Sequence, residues 1–235
     1  MKALVLAAGL GTRLRPYTDV VPKTMVPVAG RPLLERNVEW LAENGIRDLA
    51  VNLHHFPDAV RDHFGDGSAY GVRIRYSYEP VLLGTAGALR PLVDWLCDAT
   101  FLVVYGDNFI RLDLSAVLDE HARSRAVATV ALYSREDVAS SGVAELDEAG
   151  DVVRFLEKPQ PAETESRWVN AGLLACEPAL VDAIGDGSPD FGRDVLPAVL
   201  AAGGRIHGYR MSADETLEWI DTPADLRRLE DVLTP

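Results

Sequence analysis

The stretch Leu6-Ala7-Ala8-Gly9-Leu10-Gly11-Thr12-Arg13-Leu14-Arg15-Pro16 constrains this chain more than any other. It grows out of an unbroken apolar run over residues 2–7, which reads as a strand buried on both faces, as in the parallel sheets of α/β proteins. Glycines at the exit of such a strand let the backbone approach a ligand and offer N–H groups to phosphate oxygens. The stretch is not a dinucleotide fingerprint. Leu14 stands where a third glycine belongs, and Pro16 blocks the helix that would follow. It is not a Walker loop either, because no Gly-Lys-Ser/Thr is present. What distinguishes it is cations. Arg13, Arg15 and Lys23 share the loop and Arg31 follows closely, with Asp19 the one acid among them.

That cluster stands against a net charge of −13. A general grip on nucleic acid needs a basic face and is disfavoured. An anionic small molecule needs a local cationic cluster or a divalent metal to overcome the background field. The two cysteines, Cys97 and Cys176, lie far apart with no Cys-x-x-Cys spacing, which fits a reducing compartment better than a disulfide scaffold or a cysteine zinc site. The apolar run at residues 3–8 is too short for a signal peptide, and no segment approaches a membrane span. The expectation is a cytoplasmic protein without membrane or nucleic-acid partners.

Along the chain, strand and helix patterns alternate. Strands are expected at 48–53, 73–78, 100–105 and 127–133, and helices from Pro32 to Gly45, at 57–64, at 85–92 and around Leu114, Val117, Leu118 and His121. Residues 8–31 have little periodicity and form a long loop, which is often a functional one. A hairpin is expected where 143–146 and 152–156 flank Asp147-Glu148-Ala149-Gly150-Asp151. A strand at 169–176, helices at 178–184 and 191–201, short strands at 205–210 and 217–220, and a closing helix at 223–233 complete the pattern. No linker or repeat divides it, so a single domain over residues 1–235 is expected. Its class is α/β: a three-layer α/β/α sandwich on a mixed, mostly parallel sheet. Ligands of such sheets sit at the carboxyl ends of the strands, where Asp107 follows 100–105 and Asp221 follows 217–220.

The string Gly9-x-Gly11-Thr12-Arg13-Leu14-x-Pro16-x-Thr18, followed by Pro22-Lys23, resembles the signature of the sugar-1-phosphate nucleotidyltransferases. The resemblance continues in family order through Glu79–Leu89, Gly106-Asp107-Asn108, Glu157-Lys158-Pro159, Asn170-Ala171-Gly172 and Trp219-Ile220-Asp221-Thr222. Leu83-Gly84-Thr85-Ala86-Gly87 is most similar to the mannose-1-phosphate and heptose-1-phosphate guanylyltransferases, while Gly106-Asp107-Asn108 is equally at home in thymidylyltransferases. The left-handed β-helix domain of some relatives is not expected here.

The resemblance implies a Rossmann-like nucleotidyltransferase fold and a reaction in which an NTP and a sugar 1-phosphate give an NDP-sugar and pyrophosphate. GTP and mannose 1-phosphate are the expected substrates, with thymidylyl, uridylyl or cytidylyl transfer as alternatives. A catalytically silent subunit that binds nucleotide sugar is the alternative outside catalysis. Arg13, Lys23 and Asp107 are implied as catalytic. Leu6, Ala8, Gly9, Gly11, Thr12, Arg13, Lys23, Glu79, Gly84 and Thr85 are implied to bind the nucleotide, and Asn108, Glu157, Lys158, Asn170 and Gly172 the sugar phosphate. Asp107 and Asp221 are implied to hold one Mg²⁺, and a homodimer is allowed. Arg15 matches a less strict position and is read as a surface residue. His54 and His55 lack metal-ligand partners and read as packing or capping residues.

Overall fold

The computed structural model describes residues 1–160 and 162–234, and in it the α/β class with a mixed sheet is what the chain adopts. The residues group into two compact units. The first holds Met1–Leu82, Val104–Arg111 and the C-terminal segment from Thr216, and the second holds Leu83–Val103 and Leu112–Glu215. Among the described residues no helix is long and apolar enough to cross a membrane.

In the first unit the strands Lys2–Leu6, Asp48–Leu53 and Arg73–Tyr78 run parallel, with Leu6 paired to Asn52 and Asn52 to Ser77. Ala3, Leu4, Val5, Leu49, Ala50 and Val51 are fully buried, as an apolar run without alternation requires of a strand covered on both faces. Because the strands are parallel, their carboxyl ends share one edge. The glycine loop leaves the first strand there, and Glu79 follows the third. Gly106 joins them, its N–H donating to the Leu6 carbonyl at 2.9 Å. Helices Leu33–Glu43 and Pro57–Phe64 fall where proline at their starts and the apolar spacing predict them.

The long loop is not loose. It winds through three single-turn 3₁₀ segments, Thr12–Leu14, Tyr17–Asp19 and Lys23–Met25, and a two-residue strand pair, Pro27–Val28 with Arg31–Pro32. Its Leu14, Val26 and Val28 are fully buried in a cluster with Leu33, Phe109, Ile220, Leu226 and Leu229. Leu226 and Leu229 come from the closing helix Pro223–Leu233, whose start is fixed by a capping box between Thr222 and Asp225. The strand Asn108–Arg111 was not legible beforehand. It is four residues long, and its partner Thr216–Trp219 lies about a hundred residues away, the two pairing antiparallel as a separate ribbon. Asp107 and Asp221 therefore do not hang from two strands of one main sheet, as expected. They flank this ribbon.

In the second unit Ala128–Ser134 pairs antiparallel with Trp168–Cys176 and parallel with Ile206–Arg210. The expected hairpin joins Gly142–Leu146 to Val152–Glu157, its turn closed by the Asp147 carboxylate accepting from the N–H groups of Ala149 and Asp151. Three expected helices are altered. Residues 85–92 break into a Gly84–Gly87 turn and a 3₁₀ turn Arg90–Leu92, with Gly87 and Pro91 as the breakers. Pro178–Ala183 is 3₁₀ rather than α. The helix at 191–201 opens with a wide π turn, Phe191–Val195, before the α segment Leu196–Ala201, where Pro197 has no N–H to give the carbonyl four residues back.

Leu14 ties the loop to the cluster that also holds Ile220 and Phe109. Leu14→Ala should cost about 2–5 kcal/mol of folding stability, read from urea unfolding followed by circular dichroism. A loss under about 1 kcal/mol would mean the loop is not anchored there.

Candidate active site

Three separate parts of the first unit supply the charged centre. Lys23 sits in the third turn of the glycine loop, Asp107 precedes the ribbon strand Asn108–Arg111, and Asp221 follows the ribbon strand Thr216–Trp219. In the ribbon, Asn108 lies opposite Trp219, and one step further Ile220 N–H reaches the Asp107 carbonyl at 3.4 Å. That register carries the two aspartates to the same end of the ribbon.

Lys23 Nζ donates to Asp107 Oδ2 at 2.7 Å and to Asp221 Oδ1 at 2.6 Å. The other oxygen of Asp221 pairs with Arg13 at 3.1 Å. The side chain of Lys23 is only 9% exposed, whereas Asp107 and Asp221 keep 35% and 29%. Burial by itself pulls the Lys23 ammonium down, but the two carboxylates outweigh it and hold the pKa above the usual lysine value. Lys23 is thus a fixed cation at neutral pH. Arg13 is mostly exposed, so its guanidinium is open to solvent and to a ligand. Arg15 pairs with Asp19 on the surface, in line with its reading as a surface residue.

Gly11 makes this packing feasible. Its φ is +60°, and a Cβ there would lie 2.8 Å from Lys23 Cβ and 2.9 Å from Thr18 Cγ2. Thr18 Oγ1 donates to the Gly11 carbonyl at 2.9 Å and closes the loop on itself. Leu6, Ala8, Gly9 and Thr12 belong to the same unit, with Gly9 and Thr12 exposed and Ala8 buried.

Glu79, at the carboxyl end of its strand, is 1% exposed. Asn52 holds it: the amide nitrogen donates to Glu79 Oε1 at 2.8 Å, and the amide oxygen accepts from Ala7 N–H at 2.7 Å. The Glu79 carbonyl faces His54 Nδ1 at 2.7 Å. His54 thus has a backbone partner. Asn52 was not singled out from sequence, although an amide within the apolar run at 48–53 was the available signal.

The remaining expected residues lie in the second unit. Glu157 ends the hairpin strand Val152–Glu157 and pairs with Lys158 at 3.7 Å. Lys158 has φ +52°, a left-handed conformation that is strained for a side-chain-bearing residue. The Glu157 carboxylate is crowded. A Cβ on Gly192 would stand 2.6 Å from Glu157 Oε2 and 3.1 Å from Phe155 Cε1, so a side chain there would push the carboxylate aside. Asn170 accepts from Gly172 N–H at 2.8 Å, next to a register shift in Trp168–Cys176. Thr85, beside Gly84, donates to Asp190 Oδ2 at 2.7 Å and accepts from Phe191 N–H. Asp190 was not foreseen. Its other oxygen caps the π turn through Gly192 and Arg193, and its charge acts on Glu157.

Among the described residues no group of three or more His, Cys, Asp or Glu side chains is arranged to hold a metal ion. Asp107 and Asp221 are two carboxylates that converge on the Lys23 ammonium.

The family described as nucleotidyl transferase matches residues 2–224. A UTP–glucose-1-phosphate uridylyltransferase of Synechocystis sp. is 35% identical over 235 residues, covering 94% of this chain and 60% of its own length. A mannose-1-phosphate guanylyltransferase of Mycobacterium tuberculosis is 38% identical over 209 residues, covering 88% of this chain and 58% of its own. The chain thus spans about 60% of the length of these curated relatives. A crystal structure of HddC from Yersinia pseudotuberculosis complexed with GMP-PN superposes with a TM-score of 0.82 at 22% identity, covering 99% of both chains, which shows the shared fold.

Burial and the Asp190 charge both raise the Glu157 carboxyl, and Lys158 offsets them only in part. The folded chain therefore binds this proton more tightly than the unfolded chain. Stability is lost as pH rises from the ordinary glutamate range through the raised value. Asp190→Asn should bring the Glu157 pKa down, read by NMR titration of the carboxyl carbon, and should shrink that loss. An unchanged titration would remove Asp190 from the Glu157 environment.

Proposed function

Since the chain belongs to the nucleotidyl transferase family, we propose that it transfers a nucleoside monophosphate from an NTP to a sugar 1-phosphate, with GTP as donor and mannose 1-phosphate as acceptor. The observation that carries this reading is the buried Lys23 ammonium bound by both Asp107 and Asp221, with Arg13 on Asp221, beside a glycine-rich loop. A sugar-phosphate oxygen attacks the α-phosphorus, and the bond to the β-phosphate oxygen breaks as pyrophosphate leaves. The attacking oxygen is already anionic, so no side-chain nucleophile is needed. Both reactants are polyanions, so charge neutralisation and positioning carry the catalysis.

Arg13 grips the triphosphate with a forked contact, and Lys23 acts as a compact charge on the α-phosphate. When the ammonium turns to the phosphate, Asp107 and Asp221 are left facing each other. Two carboxylates from separate segments, completed by phosphate oxygens and water, suit Mg²⁺, which needs only one or two protein carboxylates. An ion held there by Asp107 and Asp221 would supply positive charge against the anionic oxygens of the displacement. Glu157, Lys158, Asn170 and Gly172 are assigned to the sugar phosphate, as is Asn108. Glu157 accepts from sugar hydroxyls and Lys158 pairs with the phosphate.

The choice of GTP is supported by the 38% identity to a mannose-1-phosphate guanylyltransferase, while the uridylyltransferase relative marks the competing base.

Pyrophosphate release should be fastest with GTP and mannose 1-phosphate across a matrix of GTP, dTTP, UTP, CTP and ATP against several sugar 1-phosphates. A preference for UTP or dTTP would overturn the guanylyl assignment, and no release with any pair would overturn the transferase reading. Arg13→Ala should lower kcat/KM for the NTP about 10- to 100-fold, the loss of one charge-assisted contact. An unchanged value would remove Arg13 from the site.

A further inference from the structure

Helix Leu33–Glu43 turns a buried stripe inward: Leu33, Leu34, Val38 and Leu41 are all fully buried. Asn37 lies in the same stripe and is also 0% exposed. Its amide nitrogen donates to the Asn108 carbonyl at 2.8 Å and to the Gly106 carbonyl at 3.3 Å. These two carbonyls bracket Asp107. The amide oxygen is buried without a hydrogen-bond partner among the described residues.

We propose that Asn37 is a positioning residue that clamps the Gly106-Asp107-Asn108 backbone and so aims the Asp107 carboxylate at Lys23 and the position shared with Asp221. The clamp rests on the nucleotidyl-transfer reading for its consequence in catalysis, and on geometry alone for its existence.

The amide has one workable orientation. Both neighbours are carbonyls, so the NH₂ must face them and the oxygen must be left behind. A buried acceptor without a partner costs stability. An apolar residue such as leucine would suit the rest of the stripe, and stability by itself would favour it. The return from asparagine lies in the two carbonyls it ties together. Asp107 is also held by Lys23 on its carboxylate and by a long 3.4 Å contact from Ile220 N–H to its carbonyl, and its neighbours by Gly106 N–H on Leu6 and Asn108 opposite Trp219 in a four-residue strand. A ribbon this short leaves its end residue some freedom to pivot. The Asn37 amide removes that freedom from the rigid side of a helix, as preorganised charge requires.

The test compares wild type, Asn37→Leu, Asp107→Asn and the double variant, with Asn37→Ser alongside as a substitution that adds no volume. Asn37→Leu should lower kcat for pyrophosphate release about tenfold or more, as expected when a reacting group is misplaced. KM for the NTP should stay within about threefold, because the phosphate cations are untouched. Its thermal midpoint should equal or exceed that of wild type. In ligand-free protein, amide hydrogen exchange should quicken over residues 105–110 and nowhere else. On the Asp107→Asn background Asn37→Leu should add no further loss, because it acts through that side chain. Wild-type kcat in both Asn37 variants, or a loss that adds in full to that of Asp107→Asn, overturns the proposal. If wild-type protein releases no pyrophosphate from any substrate pair, the functional reading has failed instead. Exchange at 105–110 then decides the clamp alone: faster exchange upholds it, and unchanged exchange overturns it.

Discussion

One ammonium group holds the centre of this protein together. Lys23 Nζ lies within 2.7 Å of both Asp107 and Asp221, residues 84 and 198 positions away in sequence. Two carboxylates brought to one place repel unless a cation lies between them, and a lysine taken out of water is costly unless anions surround it. Each therefore makes the other tolerable. With Arg13 on the far oxygen of Asp221, the cluster balances two positive against two negative side chains. On the proposed reading such a balance would serve a site whose ligands are anions: the cations would turn to the incoming phosphates and leave the carboxylates for a metal ion.

The scaffold under this cluster shows how a long loop can be both exposed and fixed. Its polar side, with Gly9, Thr12 and Arg13, faces solvent. Its apolar side drops Leu14, Val26 and Val28 into a cluster shared with the closing helix and with Ile220, the neighbour of Asp221. The same hydrophobic contacts that anchor Lys23 therefore anchor one of its partners. Burial of this kind gives no direction by itself. Direction comes from hydrogen bonds: Thr18 on Gly11, Asn52 between Ala7 and Glu79, and Asn37 on the carbonyls around Asp107.

What could be read from the sequence followed from local signals. The apolar run at residues 2–7, the helix opened by Pro32 and the hairpin around Asp147–Asp151 each carry their own pattern, and the structure has all three. The Arg13, Lys23, Asp107 and Asp221 set was legible through its motifs, and these four side chains meet. Pairing at a distance was not legible. Asn-Phe-Ile-Arg at 108–111 is too short to show a period, and only its partner at 216–219 makes it a strand. That pairing is the reason the two aspartates converge. Proline overrides periodicity: at Pro91 and Pro197 it turns expected α-helix into 3₁₀ and π turns. Asn52 and Asn37 are not legible because an amide inside an apolar pattern reads as noise until its partner is known, and Asp190 because it ends the run Gly185-Asp186-Gly187-Ser188-Pro189, where one more acid reads as loop.

The charge balance around Lys23 is tested most directly by thermal unfolding of Lys23→Met in chelator and in Mg²⁺. Without the ammonium, Asp107 and Asp221 face each other with only the exposed Arg13, on Asp221, to offset them. Lys23→Met should show a lower midpoint than wild type in chelator, a recovery on adding Mg²⁺, and loss of that recovery when Asp107→Asn is added. A midpoint for Lys23→Met that matches wild type in chelator and does not respond to Mg²⁺ would contradict the charge balance.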